Sequence, residues 1–334
     1  MIDPDESAPS PVIWVEDDGV PALPGLLVAE IESAAVYAKA SRASSTQRVY
    51  ASDWRIFTAW CSDRAIEPLP ADPRAVATFL AAEADKGAKP ATIGRRLAAI
   101  GYHHKQAGLQ PPQAREGAAV ISQVLGGIRR SKGVRPVRKR AADGDALRDM
   151  LRAIDGDGLR SARDRAVLAL GMAAALRRSE IVALTLDDVE LVPEGLKVII
   201  RGSKTDQERA GVVIAVPEGR RIRPKALLLA WMKEAAHEDG PLFRKLTPGD
   251  RLTDRGMSDR AVARLVQKHA AAAGYDPSEF AGHSLRAGFL TEAEASGASI
   301  FKMQEVSRHK SVQVLAAYVR SRELFREHAG EKFL

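Results

Sequence analysis

The chain has one cysteine, Cys61, among 334 residues. That excludes an internal disulfide and any zinc or iron–sulfur site built from several cysteines. The longest apolar stretch near the middle, Ala166 to Leu176, has 11 residues, whereas a membrane-spanning helix needs roughly 20. The N-terminus opens on Asp3, Asp5 and Glu6, not on a basic region and an apolar run, so no secretory signal is expected. No internal repeat or low-complexity tract is present. A soluble protein of a reducing, cytoplasmic compartment is expected. Hydrophobic residues make up 45% and charged residues 28%, enough for a buried core, and the length suits about two domains.

The charge is unevenly placed. Lys and Arg number 50 against 43 Asp and Glu, a net of +7. Residues 1–40 hold eight acids and one base, a net of −7. The other residues therefore carry 49 bases and 35 acids, a net of +14. A body this basic suits a polyanionic partner, because neutralising phosphates releases counterions. A solvated basic surface is the plainer alternative.

Residues 1–40 contain five prolines and read as a largely flexible acidic tail, with a short helix possible from Leu26 to Ala40. Residues 41–130 read as a helical domain. Its first helix follows a Ser44–Ser45–Thr46 cap, with Val49, Tyr50, Trp54, Phe57, Trp60 and Cys61 on one face. The second starts at Asp72–Pro73, proline being favoured at the first helical position. The third runs from Lys89–Pro90 to Ala107 with Ile93, Leu97, Ile100 and His104 on one face, and a fourth covers 115–130. After a linker at 131–142, residues 143–334 read as a mainly helical domain with one small sheet. Helices are expected near 143–154, 162–175, 223–238, 258–273, 284–297 and 311–319, and strands at 196–201 and 212–216.

The stretch from Arg129 to Arg140 has seven basic residues in twelve and no acid. Gly133 and Pro136 prevent one continuous helix. It can serve as a solvated tether. In a basic two-domain protein, Arg129, Arg130, Lys132, Arg135, Arg138, Lys139 and Arg140 also suit a phosphate backbone.

The residues that could carry chemistry lie in the second domain. Leu176–Arg177–Arg178–Ser179–Glu180 sits where one helix ends and another begins. His283–Ser284–Leu285–Arg286 opens a helix after Gly282. Arg308–His309–Lys310–Ser311 precedes a short helix in which Tyr318 lies nine residues after His309. Lys204 falls in the turn of the only clear hairpin. Singly, each has a dull explanation: surface arginines, a packing tyrosine, a solvated lysine. Their joint occurrence in this order is harder to dismiss.

The ordered set resembles the tyrosine recombinase (phage integrase-like) family over roughly residues 44–322. Leu176–Arg177–Arg178–Ser179–Glu180 is similar to the family's L-R-x-S-E, and His283–Ser284–Leu285–Arg286 matches H-x-L-R. His309 and Tyr318 keep the family separation, and the run from Tyr50 to Cys61 is typical of its helical DNA-clamping module. The register selects Arg177 over Arg178. There are departures. Ala175 stands where many members have glycine, Ser307–Arg308 where Leu-Gly is usual, and Ala287 where histidine or arginine is common.

The resemblance implies a two-domain DNA clamp, a helical core-binding (SAM-like) domain plus an α+β catalytic domain, and a site-specific recombinase. A tyrosine phenolate can attack a phosphodiester and store its bond energy as a phosphotyrosyl ester, which the reverse step uses to reseal the strand. By resemblance Tyr318 is the nucleophile, Arg177 and Arg286 clamp the phosphate, and Lys204 is the general acid. His283 helps deprotonate the tyrosine, His309 donates to the phosphate, and Glu180 orients a neighbour. Planar guanidiniums suit charge spread over phosphate oxygens. No cofactor or metal is expected. The expected partners are double-stranded DNA with inverted repeats around a short spacer and further copies of the chain, two per site and four in synapsis. In the family picture a segment beyond the nucleophile couples neighbouring subunits; Val319 to Leu334 either serves so or folds back onto its own domain. Two alternatives stay open: a type IB topoisomerase-like enzyme and a DNA-binding protein that does not cleave.

Overall fold

The computed structural model describes residues 29–30, 33–34, 36–37, 43–133, 139–201, 211–313 and 315. The chain divides into two compact units, 1–136 and 137–334.

In the first unit, α1 (Ser44–Ser62) begins at Ser44 after Ala43, so the expected serine cap lies inside the helix and no side chain caps it. Helix α2 (Pro73–Asp85) has Pro73 in its first turn, and the Asp72 carboxylate accepts from the Arg74 amide at 2.7 Å. That cap satisfies one of the free amides of a helix start. Helices α3 (Pro90–Gln106) and α4 (Ala119–Lys132) complete the unit. Helix α4 starts later than the sequence suggested, after a 3-10 turn at Pro112–Ala114 and a left-handed Gly117. It also runs past residue 130, to Lys132. Phe57, Trp60, Cys61, Phe79, Leu80, Ile93 and Ile100 form the core. Val49, expected on the inner face, is exposed. Burial pushes the Cys61 thiol up to about 11, which keeps it neutral and inert.

The second unit is built around α6 (Leu159–Ala173). The apolar run at 166–176 belongs to this helix and the turn after it. Ala166 to Leu170 are wholly buried, because neighbouring helices cover the helix on several sides. Around it lie α5 (Gly144–Arg152), α7 (Arg178–Ala183), α8 (Pro224–Ala235), α9 (Asp259–Ala272), α10 (Ser284–Ala295) and α11 (Ile300–Ser307). Strands β1 (Val189–Val192), β2 (Gly195–Ile200) and β3 (Val212–Pro217) form an antiparallel sheet in that order. Leu196, Val198, Ile200, Ile214 and Val216 turn inward from it. A separate two-stranded ribbon pairs β4 (Arg244–Leu246) with β5 (Leu252–Gly256). The sequence anticipated neither this ribbon nor β1 nor α11. The helix expected at 311–319 is described only at Val312, Gln313 and Leu315, which are helical.

Two close approaches fix the start of α10. A Cβ on Gly288 would lie 1.8 Å from the Ala142 carbonyl oxygen, so the incoming chain lies directly on the helix. The Ala142 amide donates to the Ser284 carbonyl at 2.9 Å. Two residues before the helix begins, a Cβ on Gly282 would meet the Arg178 side chain at 2.8 Å.

Candidate active site

Arg177 ends the turn after α6 in extended backbone and caps α7. Its amide donates to Glu180 Oε2 at 2.8 Å, and its Nη1 to Glu180 Oε1 at 2.5 Å. A carboxylate three residues into a helix fits that position, since it accepts from amides the helix cannot satisfy. Glu180 is buried, and its second oxygen also accepts from Arg308 Nη2 at 2.7 Å. Burial pushes the Glu180 carboxyl up, but the Arg308 charge and the Arg177 contacts outweigh that and hold it below the ordinary range.

Arg286 lies in the first turn of α10 and is buried. Its Nη1 donates to the Ala175 carbonyl at 2.7 Å, and its Nη2 lies 3.3 Å from His309 Nδ1. His309 follows α11, with Nδ1 2.8 Å from Ser307 Oγ and its carbonyl accepting from Gln304 at 2.9 Å. Burial, then the charges of Arg286, Arg177 and Arg308, push His309 down to about 4. The imidazole is therefore neutral at physiological pH. His283 caps α10 at an exposed position, one turn before Arg286.

Arg177, Glu180, Arg286 and His309 thus meet, with His283 on the helix that carries Arg286. Three guanidiniums, counting Arg308, stand against one carboxylate. Such a pocket can take an anion with several oxygens. Arg178, the competitor for the clamp, pairs instead with Asp259 at 3.3 Å.

Arg308 and Ala175 stand where glycine is common in the family that the sequence resembles. Both adopt left-handed backbone, φ 56° and 47°. Glycine takes that region without the Cβ clash that other residues meet. The signal for an unusual turn was present, but the role of the Arg308 side chain was not legible.

Lys204 and Tyr318 lie outside the described residues, as do Arg135 and Arg138. Ile200 pairs with Val212, so Lys204 belongs to the connection between β2 and β3. Leu315, three residues before Tyr318, is buried with Leu290 and Met303 between α10 and α11. Arg129, Arg130 and Lys132 are exposed in the last turn of α4. Lys139 Nζ donates to the Ser278 carbonyl at 2.5 Å, and the Arg140 guanidinium lies 4.7 Å from the Tyr275 ring centroid. Among the described residues no group of His, Cys, Asp or Glu is placed to hold a metal ion. No described helix is long and apolar enough to cross a membrane.

The Phage integrase family matches residues 141–324. A XerD homologue of Selenomonas ruminantium, named an integrase/recombinase, is 33% identical over 291 residues, 86% of this chain and 85% of that protein. A tyrosine recombinase of Synechococcus elongatus is 30% identical over 305 residues, 87% and 89% of the two chains. The fold is similar to that of a Tn1549 transposon integrase solved with transposon right-end DNA. The TM-score is 0.59 at 14% identity, over 90% of this chain and 98% of that one. It is similar too to a lambda integrase dimer bound to a core site, with a TM-score of 0.57 at 18% identity over 87% and 76%. The chain belongs to the phage integrase family. Within it, the protein is a site-specific recombinase of the tyrosine class, like XerC and XerD.

Proposed function

We propose that this recombinase cuts and rejoins double-stranded DNA through a 3′-phosphotyrosyl intermediate on Tyr318. The observation that carries the reading is the clustering of Arg177, on Glu180 and the Arg308 carbonyl, with Arg286, on the Ala175 carbonyl and His309, with positive charge left over after Glu180 is paired. Tyr318 Oη attacks the scissile phosphorus and the bond to the 5′-oxygen breaks. The phenolic proton passes to His283, and Lys204 supplies a proton to the departing 5′-oxygen. Negative charge grows on the non-bridging oxygens in the transition state, where Arg177, Arg286 and an Nε2–H of neutral His309 stabilise it. One phosphoester replaces another, so resealing by the 5′-hydroxyl draws on no ATP. The clamp and the proton donors are side chains of this chain, so the step as written calls on no metal.

The DNA partner is a duplex bearing inverted repeats, bound by two copies per site and four in synapsis, within the cytoplasm and its nucleoid. Residues 41–130 and 143–334 act as the two DNA-binding domains. Arg129, Arg130 and Lys132 at the end of α4, and Arg135, Arg138, Lys139 and Arg140 after it, follow the phosphate backbone. Residues 319–334 couple one subunit to the next.

A nicked suicide substrate tests the reading. Wild-type protein is expected to form a covalent adduct that maps to Tyr318 by mass spectrometry and to cleave equally well in chelator. Tyr318→Phe is expected to bind the site and form no adduct. An adduct formed by the phenylalanine variant contradicts the assignment.

A further inference from the structure

Arg308 occupies a position that its backbone disfavours. It closes α11 with φ 56° and ψ 40°, its amide donating to the Gln304 carbonyl at 2.7 Å. Glycine is the least strained residue in such a turn. The side chain nevertheless turns inward and is 6% exposed. Its guanidinium donates to the carbonyls of Val306 at 2.6 Å, Ala175 at 3.3 Å and Ala174 at 3.4 Å, and to Glu180 Oε2 at 2.7 Å. Its own carbonyl accepts from Arg177 Nη2 at 3.3 Å. The Ala175 carbonyl that takes Arg308 also takes Arg286.

We propose that Arg308 is a positioning residue for DNA cleavage, holding Arg177 through the shared Glu180 carboxylate and Arg286 through the shared Ala175 carbonyl. The inference rests on the reading of Arg177 and Arg286 as the phosphate clamp. Without Arg308, Glu180 would have Arg177 alone as its counter-ion, and the pair would be electrically neutral. With Arg308 present, Glu180 is neutralised twice over, and Arg177 keeps an attraction for an incoming anion. Cleavage adds negative charge to the phosphate only as the tyrosine attacks. The contribution of Arg308 is therefore larger in the transition state than in the bound ground state.

Arg308→Gly separates this role from that of a turn residue, because glycine suits the left-handed backbone while removing the side chain and its guanidinium. Single-turnover cleavage of the nicked substrate and DNA affinity are measured separately, with thermal melting as the check on folding. R308G is expected to bind DNA within about twofold of wild type and to cleave at least about tenfold more slowly. Methylguanidine, which fits the vacated space, is expected to recover part of that rate. R308K serves as the second variant should R308G not fold. It is expected to bind normally and cleave slowly, since one ammonium cannot replace a guanidinium that spans several acceptors. A folded R308G that cleaves at the wild-type rate or faster overturns the proposal, as does R308K at the wild-type rate. Equal losses in affinity and cleavage overturn it too, because they signal general disorder of the site. If wild-type protein forms no adduct, the clamp reading itself fails. If wild type cleaves and R308G is unimpaired, only the role of Arg308 fails.

Discussion

Two of the buried carboxylates described in the second unit have similar kinds of neighbours and different consequences. Asp164 on α6 accepts from Arg163 at 2.8 Å and lies 2.9 Å from His269 on α9. Glu180 on α7 accepts from Arg177 and Arg308, with Arg286 and His309 beyond. Around Asp164 one buried guanidinium and one imidazole meet one carboxylate, with the exposed Lys268 ammonium 4.0 Å away, and the remaining Arg163 nitrogen lies 3.4 Å from the Arg244 carbonyl. Charge among the buried groups is close to balance there, and the cluster ties helices together. Around Glu180 three guanidiniums meet one carboxylate beside a histidine held neutral. Carboxylate, arginine and histidine occur in both, so residue type alone does not mark the site. The two differ in a surplus of one sign, present around Glu180, which is what the proposed phosphate clamp requires.

Breaking the balanced cluster should affect folding first. Asp164→Ala leaves Arg163 and His269 buried without their acceptor, at a cost of about 3–5 kcal/mol. Chemical denaturation is expected to show that loss, while protein still folded at low temperature keeps its cleavage rate. A loss of cleavage without a loss of stability would erase the contrast between the two clusters.

Acid should distinguish the histidines by their surroundings. His309 is pushed down to about 4 by burial and then by Arg286, Arg177 and Arg308, and His103 in the first unit to about 4 chiefly by burial. Both folded values lie below the ordinary 6.5. Their contribution to stability is therefore complete above about 6.5 and is lost as pH falls towards 4. Imidazole titration by NMR is expected to find both rings neutral at pH 5. With Arg286 replaced by alanine, His309 should move upward and His103 should stay. A His309 midpoint near 6.5 in wild type would mean that the arginines do not act on it.

The smallest effect concerns the turn that both arginines share. Ala175→Gly relieves a left-handed alanine but adds freedom to the unfolded chain, so a net gain of about 0.5–1 kcal/mol is expected. Cleavage should change little, because the Ala175 carbonyl remains in place. A stability loss in melting experiments would show that the alanine methyl is needed for packing.

Much of this arrangement could be read from the sequence, for physical reasons that differ by element. Helices α2 and α3 were legible from their Asp72–Pro73 and Lys89–Pro90 starts and their apolar faces, and α5 and α9 from their helical patterns. Asp72, Asp143 and Ser258 each accept an amide of the helix they start. Strands β2 and β3 were legible because their inward residues alternate. The ribbon β4–β5 was not, since a two-stranded edge carrying Arg244, Lys245, Asp254 and Arg255 has little apolar alternation to detect. Helix α11 has eight residues and buries only Met303 and Ser307, too few for a periodic pattern. Of the candidate site residues, Arg177, Arg286 and His309 were legible through local motifs. Arg308 was seen only as a departure, because its partners Ala174, Ala175 and Glu180 lie about 130 residues away in sequence.

The central claim is that Arg177 and Arg286 act on charge that develops at the scissile phosphate. It is tested most directly by comparing wild type with Arg177→Ala on two suicide substrates, one with a native phosphodiester and one with an uncharged methylphosphonate at the scissile position. On the native linkage Arg177→Ala is expected to cleave at least about a hundredfold more slowly at saturating DNA, the usual scale for losing one such donor. On the neutral linkage the same substitution should cost less than about tenfold, because that linkage reaches its transition state with one negative charge fewer for the guanidinium to stabilise. An equal loss on both linkages would contradict the account and reduce Arg177 to a structural partner of Glu180.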